Sequence, residues 1–192
     1  MYAVIILILV VVVIVAVLAG MYNSLVRRRN QVDNSWSQIE VQLKRRHDLI
    51  PNLVESVKDY MAYEQETLTA VTQARAAAIQ AGDRGPQAQA EAENALTGTL
   101  KSLFAVAENY PDLKANQNVM QLQEELTSTE NRVAFARQLY NDTATEYNVK
   151  QQQFPWNLVA GLAKADVVEL YEIEEASERD VPVVDLSMKP KA

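Results

Sequence analysis

Residues 1–22, MYAVIILILVVVVIVAVLAGMY, carry no charged side chain. As an α-helix rising about 1.5 Å per residue, such a run spans about 30 Å, which is the thickness of the hydrocarbon core of a bilayer. We therefore predict a transmembrane anchor over 1–22, with the lipid bilayer as the first partner of the chain. Everything that follows is then a body tied to a membrane.

A cleavable signal peptide is the alternative for this segment. Signal peptides begin with a positively charged region and have a shorter apolar core. Only Met1 and Tyr2 precede the apolar run here, and neither side chain is charged. Val17, Leu18 and Ala19 loosely resemble a cleavage site. We adopt the retained anchor and keep cleavage as the alternative.

Basic residues on one side of the anchor predict its orientation. Arg27, Arg28 and Arg29 follow it closely, whereas only the α-amino group precedes it. The positive-inside rule then predicts a single-pass protein of the cytoplasmic (inner) membrane, with its N-terminus outside and its body in the cytoplasm. The same arginines are candidates for contact with anionic headgroups, and a role in topology alone is the alternative.

The composition narrows the classes of function. Of the 192 residues, 25 are acidic and 18 are basic, and the resulting net charge of −7 argues against nucleic acid as a partner. The absence of cysteine excludes disulfides, thiolate metal sites and a cysteine nucleophile. With only five glycines and six prolines, long uninterrupted helices are expected.

Apolar residues recur every three or four positions after the anchor, which predicts an all-α protein. We expect the anchor to continue into a long helix over about 24–80 that is kinked at Pro51. A second helix that starts at Pro51 and is capped by Asp48 is the alternative. The long helix would form an antiparallel bundle with helices over about 87–109 and 116–152. The predicted cytoplasmic bundle occupies residues 23–155.

The C-terminal region, residues 156–192, is expected to differ from the bundle. An apolar run over 156–163 predicts a short helix, and Val167–Glu175 is expected to add another turn or two. The rest is expected to be an extended, mobile tail, because its two prolines are incompatible with a helix. Within it, Val181–Leu186 is a candidate for strand addition to a partner, with a disordered tail as the alternative.

The predicted lengths leave part of the first helix uncovered. A helix of about 58 residues is about 85 Å long, and a second helix of about 35 Å cannot return to the membrane. Four apolar residues near the anchor, which we call the stalk stripe, then lack an intramolecular partner: Leu25, Val32, Trp36 and Ile39. Because exposed apolar stripes mark interfaces, we predict that the stalk stripe packs against copies of the chain or another membrane protein.

The sequence contains no motif for catalysis or metal binding. His47 is the only histidine, and neither the Glu-x-x-His nor the HExxH spacing occurs. We therefore expect no metal or cofactor and place His47, partly exposed, beside its basic neighbours. Close carboxylates such as Glu91 and Glu93 do not share a helix face and are expected to be solvated. We predict a protein that is not an enzyme.

Polar residues at inward-facing positions are the unusual feature of the bundle. Four of them are candidates for a network between helices: Arg46, Glu130, Arg137 and Tyr140. Asn141 and Asn148 flank the tyrosines of the last helix. Since buried polar groups need partners, we expect an Arg–Glu–Tyr network that fixes the register of the helices. A ligand site lined by these residues is the alternative.

Three long strings resemble the LemA family of bacterial membrane proteins. They are YNSLVRRRNQVDNSWSQIEVQLKRRHDLIPNLVESVKDYMAYE at 22–64, YPDLKANQNVMQLQEELTSTENRVAFARQLYND at 110–142, and YNVKQQQFP at 147–155. The late segment at 179–182 also fits the closing pattern of the family. Asp59 departs from the pattern, because the family commonly has glycine at this position.

The resemblance implies an N-terminal anchor and a helical bundle, and it supplies no catalytic residues. By association of family members, it also implies proximity to membrane peptidases, TPM-domain proteins or membrane-stress proteins. We therefore predict a membrane-anchored, non-enzymatic scaffold or adaptor that presents coiled-coil-like surfaces, as a homo-oligomer or to other membrane proteins. A membrane-tethered ligand or stress sensor with a polar site between helices is the alternative.

Overall fold

The structure is a computed structural model that describes residues 1–172. Within this range it contains α-helices and a 3-10 turn but no strand, so the predicted all-α fold with a long apolar N-terminal helix is confirmed. The helices are α1 (Tyr2–Val57), α2 (Gln65–Ala81), α3 (Pro86–Ala107), α4 (Pro111–Lys114), α5 (Gln117–Gln152) and α6 (Asn157–Ala160). The predictions for the tail, including strand addition by Val181–Leu186, lie outside the described residues.

α1 joins the anchor to the bundle without interruption. Side chains from Met1 to Gly20 are exposed, and Met21 is the first buried residue. Among the described helices, α1 alone is long and apolar enough to cross a membrane. Pro51 lies inside α1, where it removes one backbone hydrogen bond, yet the helix continues to Val57.

The first helix ends earlier than expected. A single helix over about 24–80 is wrong, because the chain turns at residues 58–64 and α2 runs back beside α1. Arg75 of α2 donates a hydrogen bond from Nε to the backbone carbonyl of His47 at 2.7 Å, which fixes this return. Met61 lies fully buried within the turn, so the turn itself belongs to the core.

The helices α1, α2, α3 and α5 form an antiparallel bundle. α5 packs along α1, and α2 pairs with α3. In the half that lies away from the anchor, all four helices contribute to an apolar core that we call the distal core. Its leucine, isoleucine and methionine members are Ile50, Leu53, Met61, Leu68, Leu96, Leu100, Leu103, Leu113 and Leu126.

In the half of the bundle near the anchor, a segment of extended chain covers the core. After α6, residues 165–172 run along α5 without helical structure, and we call this segment the strap. The prediction of helical turns over Val167–Glu175 is therefore wrong for its described part. The strap contributes Tyr171 to the proximal core, whose other buried members are Val32, Ile39, Leu43, Ala90, Val133, Ala136, Tyr140, Ala144 and Tyr147.

The stalk stripe is covered by the chain itself. Leu25, Val32 and Ile39 are buried, and Trp36 is half-buried. Ser35 and Thr143 share a hydrogen bond of 2.8 Å, and Arg28 pairs with Glu146 at 2.9 Å. α5 therefore follows α1 down to the anchor, and the expectation that the stripe has no intramolecular partner is wrong.

Candidate functional site

A charged cluster lies inside the bundle where α1 meets α3. Arg46, His47 and Glu93 are all buried. The guanidinium of Arg46 donates from Nη1 to Glu93 Oε2 at 3.2 Å. The imidazole Nε2 of His47 lies 2.7 Å from Glu93 Oε1. Both oxygens of this carboxylate therefore have a basic partner, as a charge buried away from water requires.

Gln89 and Thr97 complete this cluster, which we call the central network. Gln89 Nε2 contacts Glu93 Oε1 at 3.0 Å and the Ala78 carbonyl at 3.2 Å, so it ties α3 to α2. Thr97 Oγ1 accepts from Arg46 Nη2 at 2.8 Å and donates to the Glu93 carbonyl at 3.0 Å. Three helices are thereby held in one register, which is a structural role that such networks perform.

The observed partners differ from the predicted Arg–Glu–Tyr network. Arg46 is buried and paired, but its carboxylate comes from Glu93, while Glu130 is exposed. Arg137 is half-buried, and its side chain makes no hydrogen bond or ion pair with any other residue in 1–172. Tyr140 lies in the proximal core instead. The four candidates therefore do not form one site.

Two members of the central network, His47 and Glu93, lie in surroundings that differ from those expected. His47 was expected to be partly exposed and Glu93 to be solvated, and both expectations are wrong because the two residues face each other across the α1–α3 contact. A signal for Glu93 was present in the spacing. It precedes the buried Leu96 and Leu100 by three and seven residues, which places it on the same helix face.

Two asparagines of α5 hold the strap through paired hydrogen bonds. Asn141 donates from Nδ2 to the Tyr171 carbonyl at 3.1 Å and accepts from the Tyr171 amide at 2.9 Å. Asn148 contacts Val168 in the same way, at 2.8 and 2.9 Å. Seven helical residues rise about 10.5 Å and three extended residues span about 10 Å, so the two spacings match.

Aromatic side chains surround the end of the strap. Tyr140 donates from its hydroxyl to the Glu169 carbonyl at 2.7 Å, and the Trp36 ring lies 5.2 Å from the Tyr140 ring. Burial raises the pKa of Tyr140 to about 12. Burial first, and then the nearby Glu93 carboxylate, raise the pKa of Tyr171 above its ordinary value. Tyr171 therefore brings the strap within electrostatic reach of Glu93 in the central network.

A cleft of about 820 Å³ opens in the half near the anchor. It lies between α1, the α2–α3 turn and the strap, and its lining carries charges of both signs: Arg29, Asp33, Asp83, Lys164, Asp166 and Glu169. Across residues 1–172, no group of three or more His, Asp or Glu side chains is arranged to hold a metal ion.

The outer face of the α1–α5 pair carries a second concavity of about 590 Å³, which we call the outer groove. Val41 and Phe135 line it and are 64% and 71% exposed. Gln42 Oε1 is buried there without a hydrogen-bond partner among the described residues. The remaining lining residues are Ser37, Gln38, Ser128, Asn131, Arg132 and Ala136.

The three arginines that follow the anchor lie at the base of the bundle. Arg28 pairs with Glu146 at 2.9 Å, and Arg29 pairs with Asp33 at 3.3 Å. Arg27 is exposed. Two of the three basic charges are thus tied to the bundle as well as close to the membrane.

The sequence is similar to known proteins over most of its length. A protein named Protein LemA from Metamycoplasma hominis is 30% identical over 172 residues, covering 88% of this chain and 77% of that protein. Magnetosome protein MamQ 2 of Paramagnetospirillum magneticum is 25% identical over 193 residues, covering 88% and 70%. Magnetosome protein MamQ of Magnetospirillum gryphiswaldense is 24% identical over 187 residues, covering 85% and 68%. The family model described as the LemA family matches residues 35–186, and this single-pass membrane protein belongs to that family.

Proposed function

We propose that this chain is a non-enzymatic membrane scaffold that self-associates through the outer groove. The anchor lies in the cytoplasmic membrane with its N-terminus outside, and the bundle stands in the cytoplasm. The observation that carries the proposal is the outer groove, where Val41 and Phe135 remain exposed on neighbouring helices. The stalk stripe cannot serve this purpose, because α5 already covers it.

Anchoring favours contact between two copies at this groove. Copies in one membrane share their orientation, so their outer grooves lie at the same height above the bilayer. A twofold axis perpendicular to the membrane then brings the groove of one copy onto the groove of the other, as an isologous dimer requires. Arg132 is the single charged residue in the lining, so little charge is desolvated on contact.

Cross-linking in native membranes tests the homo-oligomer, because the chain has no cysteine of its own. Under mild oxidation, Phe135→Cys and Val41→Cys are expected to give disulfide-linked dimers. Tyr63→Cys is the matched control, since Tyr63 is 96% exposed but lies in the turn after α1, and it is expected to stay monomeric.

Groove variants that react with a maleimide and still remain monomeric would reject the homo-oligomer. A cross-linked product of another mass would instead identify a different membrane protein by mass spectrometry. Membrane peptidases, TPM-domain proteins and membrane-stress proteins, which the family resemblance suggests, are the candidates for that outcome.

The orientation is tested with the same control variant. A membrane-impermeant maleimide is expected to leave Tyr63→Cys unlabelled in intact cells and to label it after lysis. Labelling of intact cells would place the bundle outside and contradict a cytoplasmic scaffold. Tyr2→Cys, at the N-terminal end of the anchor, is expected to show the opposite pattern.

A ligand or stress sensor is the second candidate function. It is favoured by a cavity of about 200 Å³ beside Arg46, whose Nε is buried without a hydrogen-bond partner within residues 1–172. Lys101 and Glu130 also line this cavity and are exposed. Thermal unfolding with inorganic phosphate as the probe tests it. A sensor of anions predicts a higher Tm that Lys101→Met abolishes, and an unchanged Tm favours the scaffold.

A further inference from the structure

We infer that the loop between α5 and the strap inserts into the bilayer interface as a second membrane contact beside the anchor. This proximal loop comprises residues 153–164 and includes α6. Three large apolar side chains in it face away from the bundle. Phe154 is 78% exposed, Leu158 is 64% exposed and Leu162 is 77% exposed. Leu158 lies on α6, and Phe154 and Leu162 lie in the turns on either side of it.

The register of α1 and α5 places the proximal loop where the anchor meets the bundle. Arg28 on α1 lies opposite Glu146 on α5, and the two helices are antiparallel. Six residues beyond Glu146, α5 ends at Gln152. The Arg28–Glu146 and Ser35–Thr143 pairs place Gln152 opposite about residues 22–26, between the end of the predicted anchor and the first charged residue, Arg27. α6 packs against both helices, and Met21 and Val159 are buried at this level.

The neighbours of the exposed residues suit an interface between lipid and water. Trp156 is half-buried in the loop, and Tyr22 is exposed at the end of the anchor. Tyrosine is enriched at the level of the headgroups, where its ring is apolar and its hydroxyl is wet. Trp156 Nε1, in contrast, is buried without a hydrogen-bond partner within residues 1–172. Lys150 Nζ lies 3.2 Å from the centroid of the Trp156 ring, and Lys164 is exposed at the end of the loop. Such lysines can keep their charge among the headgroups while their stems contact apolar groups.

The position of the proximal loop beside the anchor favours lipid as the partner that covers its exposed apolar side chains. An exposed apolar patch beside a spanning helix is held permanently next to lipid, so its burial requires no diffusional encounter. α6, which carries Leu158, also packs directly against α1, the helix that contains the anchor. Together, the anchor and the proximal loop give the bundle two attachment points and so restrict its tilt on the membrane.

Depth-dependent fluorescence of the full-length chain in nanodiscs tests the inference. An environment-sensitive NBD label on Leu158→Cys is expected to shift to shorter wavelength and to be quenched by lipids that carry a nitroxide near the top of the acyl chain. Labels on Tyr63→Cys and Ile79→Cys serve as controls, because both side chains are exposed elsewhere on the bundle. These labels are expected to show water-like emission and no quenching.

The lipid composition separates insertion from charge attraction. Insertion of apolar side chains predicts quenching of the Leu158→Cys label in pure phosphatidylcholine as well as in an equal mixture with phosphatidylglycerol. Quenching that needs phosphatidylglycerol would show that the basic residues alone attract the loop, and it would overturn the inference. Emission as water-like as that of the Tyr63→Cys label in both lipids would overturn it too.

A charged double variant provides a second measurement. Leu158→Asp with Leu162→Asp changes two exposed side chains, so the bundle is expected to keep its helical circular dichroism. A label on Phe154→Cys in this background is expected to lose its quenching. Persistent quenching there would show that the loop approaches lipid without inserting. Neither result depends on self-association through the outer groove.

Discussion

The two halves of the bundle are closed in different ways. In the distal half, α1, α2, α3 and α5 enclose mostly aliphatic side chains. In the proximal half, α1 and α5 are covered by the strap, and the core includes Trp36 and three tyrosines. A helix satisfies its own backbone hydrogen bonds, whereas an extended segment does not. The proximal half therefore needs polar side chains where the distal half needs only apolar contact.

The largest expected effect comes from breaking the central network, which lies between the two halves. Glu93→Ala leaves the buried Arg46 without its carboxylate, and such a loss costs about 3–5 kcal/mol. We expect the free energy of unfolding by urea to fall by this amount. Glu91→Ala, which changes an exposed carboxylate on the same helix, is the control and is expected to be neutral. Equal midpoints for the two variants would contradict a structural role for the network.

The second-largest loss of stability is expected for a cavity in the distal core. Leu53 is fully buried, so Leu53→Ala should leave a cavity and cost about 3 kcal/mol. Because four helices share this core, we expect amide hydrogen exchange to accelerate in all of them. Ile79→Ala removes a half-exposed side chain and is expected to have little effect. Faster exchange confined to α1 would show that the distal half does not unfold as one unit.

A smaller and more local effect is expected in the proximal half. Asn148→Leu removes two hydrogen bonds to Val168, which together contribute about 2 kcal/mol. We expect faster hydrogen exchange in the strap and unchanged exchange in the distal core. Gln138→Leu is the matched control, since Gln138 is exposed on α5. Uniform loss of protection in both halves would contradict the contrast between them.

The smallest effect concerns one hydroxyl and depends on pH. Tyr140→Phe removes the hydrogen bond to Glu169, with a cost of about 1 kcal/mol at neutral pH. The folded-state pKa of Tyr140 is raised to about 12, so the unfolded chain loses this proton first as the pH rises through about 10. The stabilising contribution of the protonated hydroxyl is therefore fully present below about pH 10 and is lost as the pH rises from about 10 to about 12.

Urea unfolding across this alkaline range provides the measurement. The chain with Tyr140 is expected to lose more stability between about pH 10 and 12 than the Tyr140→Phe variant does. Identical alkaline slopes would show that Tyr140 ionises as easily in the folded state as in the unfolded state.

Much of the fold was predictable from the sequence. The anchor is a continuous apolar run, and the helices show apolar residues at every third or fourth position. The break at 58–64 was missed, since Val57, Met61 and Leu68 enter one core from both sides of the turn and so preserve the apolar spacing. The family pattern held a signal. Asp59 occupies a position that is commonly glycine in LemA proteins, and it directly follows the C-cap residue of α1, where glycine is favoured.

The site was less predictable than the fold. The burial of Arg46 follows from its place on the apolar stripe of α1, but the choice of Glu93 depends on how α3 is placed by the turn that was missed. Periodicity specifies which side of a helix is buried and not which helix it meets. The strap was missed for a related reason. Its backbone groups bind side chains of α5, so the residues of the strap need not follow any periodic pattern of their own.

The spacing of Asn141 and Asn148 on α5 constrains the number of residues in the paired part of the strap. One residue inserted between them would rotate one asparagine side chain by about 100° around α5 relative to the other. Only one of the two could then keep its hydrogen bonds to the strap. We therefore expect insertions and deletions to be tolerated outside these two intervals, such as in the turn at 58–64 or in the proximal loop. The interval of seven residues in α5 and the interval of three in the strap can change only together.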